Sequence, residues 1–262
     1  AAKIGGSQVY LKEGLIFTLD DMLASLIIKS ANDSAVAIAI HMAGSVNAFV
    51  KMMNDRAKSL GMTKTVFASV HGLPPDISKK QNPDVSTPLD MAKLSAEIVR
   101  HPLALQYTST SFRKFRNDTF ELRSHNYLLG RVNGCDGLKT GFFNAGGFSI
   151  AATALRDGKR VIAVVMGSKF RKTRDEKAAS LIETGFVKLA EWERAEKERI
   201  EKEKKEKIEQ ELKMKAEAEE KARNRRKQII KWGTIIGIVF VVCGFIGKNI
   251  FSRRYSSNGF DF

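Results

Sequence analysis

Residues 136–154 read DGLKTGFFNAGGFSIAATA. A turn opens the stretch, a short lysine-bearing run follows, and a longer apolar run ends it, with Gly146 and Gly147 on the turn between the two. Short runs of this kind bounded by turn residues predict strands. The segment KRVIAVVMGS at 159–168 gives the same signal, and Asp157-Gly158 joins it to the preceding strand in the pair that a tight hairpin favours. Three consecutive antiparallel strands are therefore expected. Within the first of them, Lys139, Thr140 and Gly141 bring together a fixed cation, a hydroxyl able to hydrogen-bond a carboxylate, and a residue without a side chain. Such a triplet at a sheet edge lets an extended peptide lie close, as an added strand.

Upstream, SFRKFRNDTFELR (111–123) drops to a period near two and predicts a hairpin turning at Asn117-Asp118. The rest of the first half reads helical, apart from a short strand-like piece, QVYLKEG (8–14), and a long loop over 67–86. Thr18 caps one helix, with Asp21 in capping-box position and Met22, Leu23, Leu26 and Ile27 as its apolar stripe. The pattern pauses at Ser30-Ala31-Asn32 and resumes as SAVAIAIHMA (34–43), which is apolar nearly all round, as a buried helix must be. Ser45 starts another helix that Gly61 ends, and Thr87 with Pro88 starts a further one. A helix over RDEKAASLIETGFVKLAEW (174–192) closes the domain. Helices, then antiparallel strands, then a helix predict an α+β fold with helices packed on an antiparallel sheet.

The 262 residues carry 44 Lys and Arg against 29 Asp and Glu, a net charge of +15. An anionic partner is implied, yet no zinc spacing or RNA-binding string appears, so nucleic acid is set aside. The four histidines are scattered without ligand-like pairing, and no metal or cofactor is expected. Cys135 and Cys243 are not expected to form a disulfide, because the second falls in an apolar run.

After about residue 187 the composition changes. Residues 188–228 have no Pro or Gly and few apolar residues, and glutamates precede lysines at i,i+4, as in Glu201–Lys205 and Glu209–Lys213. This predicts a solvated helical spacer of about 60 Å, with a coiled coil as the alternative. Residues 229–251 form an apolar run without charge from Trp232 to Gly247 and predict a membrane anchor, followed by a short tail at 252–262. Basic residues flank both ends, so the positive-inside rule does not set its orientation.

The runs LIIKSANDSAVAIA (26–39), FASVHGLPP (67–75), DGLKTGFFNAGGFSIAATA (136–154) and VVMGSKFRKTRDEKAASLIETGF (164–186) together resemble the D-alanyl-D-alanine carboxypeptidases, the low-molecular-mass penicillin-binding proteins. The resemblance covers about 5–187 and implies a β-lactamase/transpeptidase-like fold, incomplete at the N-terminus. It implies a serine that attacks the terminal D-Ala-D-Ala bond of the peptidoglycan stem peptide through an acyl-enzyme, with β-lactams trapping the same serine. On this resemblance Ser30 moves protons near the leaving group, Asn32 holds the substrate amide, and Lys139 joins the electrostatic cluster around the nucleophile. Thr140 and Gly141 line the docking strand, and Arg174 receives the terminal carboxylate. Phe142 stands where some members carry a histidine. The catalytic domain is expected outside the cell membrane and the tail inside.

The attacking serine of that family opens a helix as S-x-x-K. The one such string here, Ser111 to Lys114, lies in alternating sequence, where the two side chains point to opposite faces of a strand. The expectation is that the nucleophile segment precedes Ala1 and that these 262 residues alone are inactive. A β-lactamase and a non-catalytic, membrane-anchored wall-binding protein remain as alternatives.

Overall fold

A computed structural model describes residues 4–75, 78 and 81–255. The chain divides into two units, Ala1–Glu191 and Trp192–Phe262.

In the first unit, α1 (Leu19–Ile28), α2 (Asn32–Ala43) and α3 (Val46–Ser59) precede α4 (Pro88–Ile98) and α5 (Pro102–Thr108). A hairpin of β1 (Phe112–Phe115) and β2 (Phe120–Arg123) follows, then β3 (Cys135–Phe143), β4 (Gly147–Arg156), β5 (Lys159–Ser168) and the start of α6 (Arg171–Tyr255). Each capping residue read from the sequence takes up an orphan amide. The Thr18 hydroxyl accepts from the Asp21 N–H at 3.1 Å, Ser45 from Ala48 at 3.1 Å and Thr87 from Asp90 at 3.3 Å.

The strands β3, β4 and β5 pair in that order, all antiparallel, and among the described residues one long edge of β3 has no partner strand. Asp157 and Gly158 both hold positive φ, 49° and 74°, as the tight β4–β5 turn requires. The smaller hairpin turns between Phe115 and Phe120, across Asn117 and Asp118.

Two apolar clusters hold the unit together. Ile150, Ala152 and Ala154 of β4, with Ala163 and Val165 of β5, pack on Ala178 and Ile182 of α6. Ala151 and Thr153 of β4 are buried as well, so both faces of the central strand are covered. Small residues there let elements approach from both sides. The second cluster joins Val9, Leu11, Ala24, Ile28, Tyr107, Phe115 and Leu122.

Two expectations are corrected. QVYLKEG is not a strand. The backbone N–H groups of Val9 and Leu11 are taken up by the Asp33 carboxylate, at 3.2 and 3.0 Å, instead of by a neighbouring strand, and Tyr10 between them has a φ of 57°. Asp33 is fully buried and also accepts from the Ser34 N–H. A carboxylate accepting several amides satisfies the segment as a ladder would. Helix α5 is the second difference, since the sequence reading passes from the α4 segment to the hairpin without it. Seven residues opening at Pro102 are too few to show a helical period.

In the second unit, the Trp192–Ile246 part of α6 is solvent-exposed along nearly all its length. Glu201–Lys205 and Glu209–Lys213 pair at 2.7 and 2.8 Å. Arg199–Glu203 and Lys202–Glu206 add looser pairs in the opposite order, both at 3.9 Å. Up to Ile246 the helix contains a window long and apolar enough to cross a membrane, and none of that window is buried. Of the tail expected at 252–262, residues 252–255 continue α6, and 256–262 lie outside the described residues.

Candidate active site

Helix α1 ends at Lys29, and Ser30 then adopts a φ of 60°. A left-handed serine is uncommon, and such backbone clusters at functional sites. The turn aims the Ser30 hydroxyl at β3. Lys139 Nζ donates to Ser30 Oγ at 2.9 Å and to the Thr140 carbonyl at 2.8 Å, across 109 residues of sequence in the first case.

The ammonium of Lys139 is buried with no carboxylate bonded to it among the described residues. Burial, with the nearby positive Arg174 second, lowers its pKa to about 8. Near neutral pH this lysine holds a neutral fraction that can accept a proton, next to a hydroxyl that can relay one.

The other residues singled out in the sequence lie as follows. Asn32 begins α2, and its N–H donates to the Ser7 carbonyl at 2.8 Å. Its side-chain amide donates to the Gly5 carbonyl at 3.0 Å, so it is tied to the 5–7 segment, and among the described residues it has no bond to the Ser30–Lys139 pair. That segment runs close: a Cβ on Gly6 (φ 67°) would meet the Asn32 amide nitrogen at 2.5 Å. Thr140 contributes its carbonyl, and Gly141 is exposed on the free edge, with nothing within 4 Å of where a Cβ would stand. Arg174 is only 2% exposed. It donates through Nε and Nη2 to Asp175 Oδ1 at 2.9 and 2.6 Å and reaches the Ser149 carbonyl at 3.4 Å.

Three elements hold the start of β3, which delivers Lys139; the turn expected at Asp136-Gly137 is already strand here, since β3 begins at Cys135. The Asp136 carboxylate accepts two bonds from Arg160, at 2.8 and 2.7 Å, and Arg160 also donates to the Thr153 hydroxyl at 2.9 Å. Thr108 donates to the Asp136 carbonyl at 2.8 Å, and the buried Asn126 to the Gly137 carbonyl at 3.1 Å. Gly137 is required at this crossing, because a Cβ would meet the Thr108 hydroxyl at 2.6 Å. Neither Asn126 nor Asp175 carries a motif that sequence reading could have found; both act by position in the folded chain.

The corner is electropositive. Burial pushes the His125 pKa down first, and Lys139, Lys29, Arg171 and Arg174 push it further. An anionic group is the ligand such a cluster suits. Ser111 and Lys114 lie outside this corner: both are exposed at the small hairpin, where Lys114 pairs with Asp118 at 3.5 Å. Among the described residues no group of three or more His, Cys, Asp or Glu is placed to hold a metal ion.

Residues 1–170 match the family described as D-alanyl-D-alanine carboxypeptidase, Peptidase_S11. D-alanyl-D-alanine carboxypeptidase DacF of Bacillus subtilis is 33% identical over 189 residues, 71% of this chain and 47% of the relative. DacC of Escherichia coli is 33% identical over 183 residues, 70% of this chain and 44% of the relative. The chain thus spans about half the length of the curated relatives it matches. Among solved structures, penicillin-binding protein D2 from Listeria monocytogenes in its ampicillin-bound form superposes with a TM-score of 0.63 at 34% identity, covering 70% of this chain and 74% of that one. Penicillin binding protein 5 from Haemophilus influenzae gives a TM-score of 0.63 at 31% identity, covering 70% and 52%.

Proposed function

Since the chain belongs to the D-alanyl-D-alanine carboxypeptidase family, we propose that the whole protein is a serine-type carboxypeptidase that removes the terminal D-alanine of peptidoglycan stem peptides. The observation that carries this reading is the 2.9 Å contact between the buried Lys139 ammonium and the Ser30 hydroxyl, beside the free edge of β3.

The stem peptide adds to that edge as an extended strand, with Gly141 leaving room for its backbone and Thr140 beside it. Arg174 receives the terminal carboxylate, exchanging part of its bond to Asp175 for a substrate oxygen. Asn32 holds the substrate amide. The attacking serine oxygen bonds to the penultimate carbonyl carbon, the C–N bond breaks, and D-alanine leaves carrying a proton relayed through Ser30. Lys139 belongs to the electrostatic cluster around the nucleophile, and the proton released by the nucleophile passes to the lysine of the family's S-x-x-K pair, to which no residue of this chain is assigned. Water then cleaves the acyl-enzyme. No residue of this chain is assigned as the nucleophile, because Ser111 lies on the small hairpin. β-Lactams acylate the same serine as inhibitors.

In the cell, the 1–187 domain works on the outer side of the cell membrane, with 188–228 as spacer, 229–251 as anchor and 252–262 inside. The charged stretch holds the catalytic domain toward the wall.

Labelling of the whole protein with a fluorescent penicillin tests this reading. A single labelled species is expected, with Lys139→Ala reducing its rate of formation by at least about 100-fold. A well-folded whole protein that takes no label overturns it.

A further inference from the structure

The charge pattern of α6 changes abruptly within the second unit. Residues 192–220 hold eleven glutamates against nine lysines and arginines. From Lys221 to Lys231 there are six cations (Lys221, Arg223, Arg225, Arg226, Lys227 and Lys231) and no acid, and none follows before Asp261. All six are exposed, and among the described residues none is ion-paired. The upstream lysines are compensated by glutamates on their own helix; these six are not.

Their placement around the helix narrows what they face. At 3.6 residues per turn they fall at about 0°, 200°, 40°, 140°, 240° and 280°, all round the axis. A protein partner or a single strand of polymer docks on one side of a helix and calls for a stripe. A ring calls for a surface that surrounds the helix. The ring also sits where the apolar run begins: Ile229 and Ile230 are 71% and 69% exposed and Trp232 is 63% exposed. From Arg225 to Lys231 the helix rises about 9 Å, close to the roughly 5–8 Å depth of one headgroup layer. Trp232 lies at its inner boundary, the level that indole rings favour.

We propose that residues 221–231 form a collar that gathers anionic phospholipid headgroups around the point where α6 enters the membrane. The inference rests on the membrane-anchor reading given above. It adds a lipid preference that anchoring alone does not need, since the apolar run would partition into a zwitterionic bilayer equally well. The collar ties the spacer to negatively charged membrane and makes that attachment salt-dependent.

Trp232 supplies the probe, because the chain has only one other tryptophan, Trp192. The full chain carrying Trp192→Phe is reconstituted into phosphatidylcholine vesicles containing a minority of phosphatidylglycerol. Bromine is placed on the acyl chains of one lipid or the other, at equal total bromine. Quenching of Trp232 is expected to be stronger when the anionic lipid carries the bromine, corresponding to a local enrichment of roughly fivefold. The difference should shrink in 0.5 M salt and disappear in Arg225→Gln/Arg226→Gln/Lys227→Gln. The same number of changes upstream, Lys202→Gln/Lys204→Gln/Lys205→Gln, should leave it intact. Equal quenching by the two brominated lipids overturns the collar while leaving the anchor standing. No quenching by either overturns the anchor, and the collar with it.

Discussion

Lys139 on β3 and the lysines of the 192–220 helix are the same side chain in opposite surroundings. Lys139 is half-buried, hydrogen-bonded to one hydroxyl and one carbonyl, and its charge is disfavoured. Lys205 and Lys213 stand in water beside glutamates one turn away. In the first region a residue's properties are set by what the fold brings to it from far along the chain. In the second they are set by neighbours three or four positions away. The two regions should therefore respond to substitution on different scales, and α6, which contributes to both, allows the test within one helix.

The largest contrast is expected between two isoleucines of α6. Ile182 is fully buried against the sheet, packed in the cluster of Ile150 and Ala163. Ile182→Ala removes three carbons from a packed interior and should cost about 2–5 kcal/mol, read as a lower denaturation midpoint of the first unit. Ile208 is 58% exposed, and Ile208→Ala should change stability by no more than about 0.5 kcal/mol. Equal shifts would break the division between the two regions.

Next in size is a pH-dependent effect of about 3 kcal/mol at Lys139. Its pKa is about 8 in the folded chain against 10.5 for the free side chain. Below pH 8 both states are protonated, and the folded state carries the whole cost of a buried cation. Between 8 and 10.5 the unfolded chain binds more protons, so folding becomes more favourable as pH rises. Above 10.5 both are neutral and the gain is complete. Relative to Lys139→Met, the native chain should gain about 3 kcal/mol across that window. Denaturant titrations of both proteins at pH 7.5 and 10.5 measure the difference, in which the other titrating groups cancel. Parallel pH dependence would show that Lys139 is not held as a disfavoured cation.

What could be read in the sequence follows the same division. The caps at Thr18, Ser45 and Thr87, the Asp157-Gly158 turn and the three-strand order are local signals, and the structure has all of them. So are the Glu201–Lys205 and Glu209–Lys213 pairs. Asp33 escaped because its amide partners lie 24 and 22 residues upstream, where an alternating segment imitates a strand. The Ser30–Lys139 contact spans 109 residues; no periodicity reaches that far, and only the family resemblance put the two on one site. Arg174 was visible as a guanidinium for a carboxylate, but its bond to the adjacent Asp175 was not, since neighbours in a helix ordinarily point apart.

The finest test compares two ion pairs of nearly equal length. Asp136–Arg160 closes at 2.7 Å with side chains 23% and 18% exposed, and it braces the start of β3 ahead of Lys139. Glu209–Lys213 closes at 2.8 Å with side chains 67% and 71% exposed. Distance alone predicts equal worth. Burial predicts otherwise, because water and salt screen only the second pair, and because Arg160 loses a partner it cannot replace with solvent. Asp136→Asn should cost about 1.5–3 kcal/mol, measured by denaturation of the first unit, and little of that should depend on salt. Glu209→Gln should cost about 0.3–0.5 kcal/mol, seen as a small loss of helicity at low ionic strength that vanishes near 1 M salt, where the screening length falls to about 3 Å. If the two substitutions cost the same, or if salt erases both, the bracing of the start of β3 is a surface effect and the site does not owe its geometry to that pair.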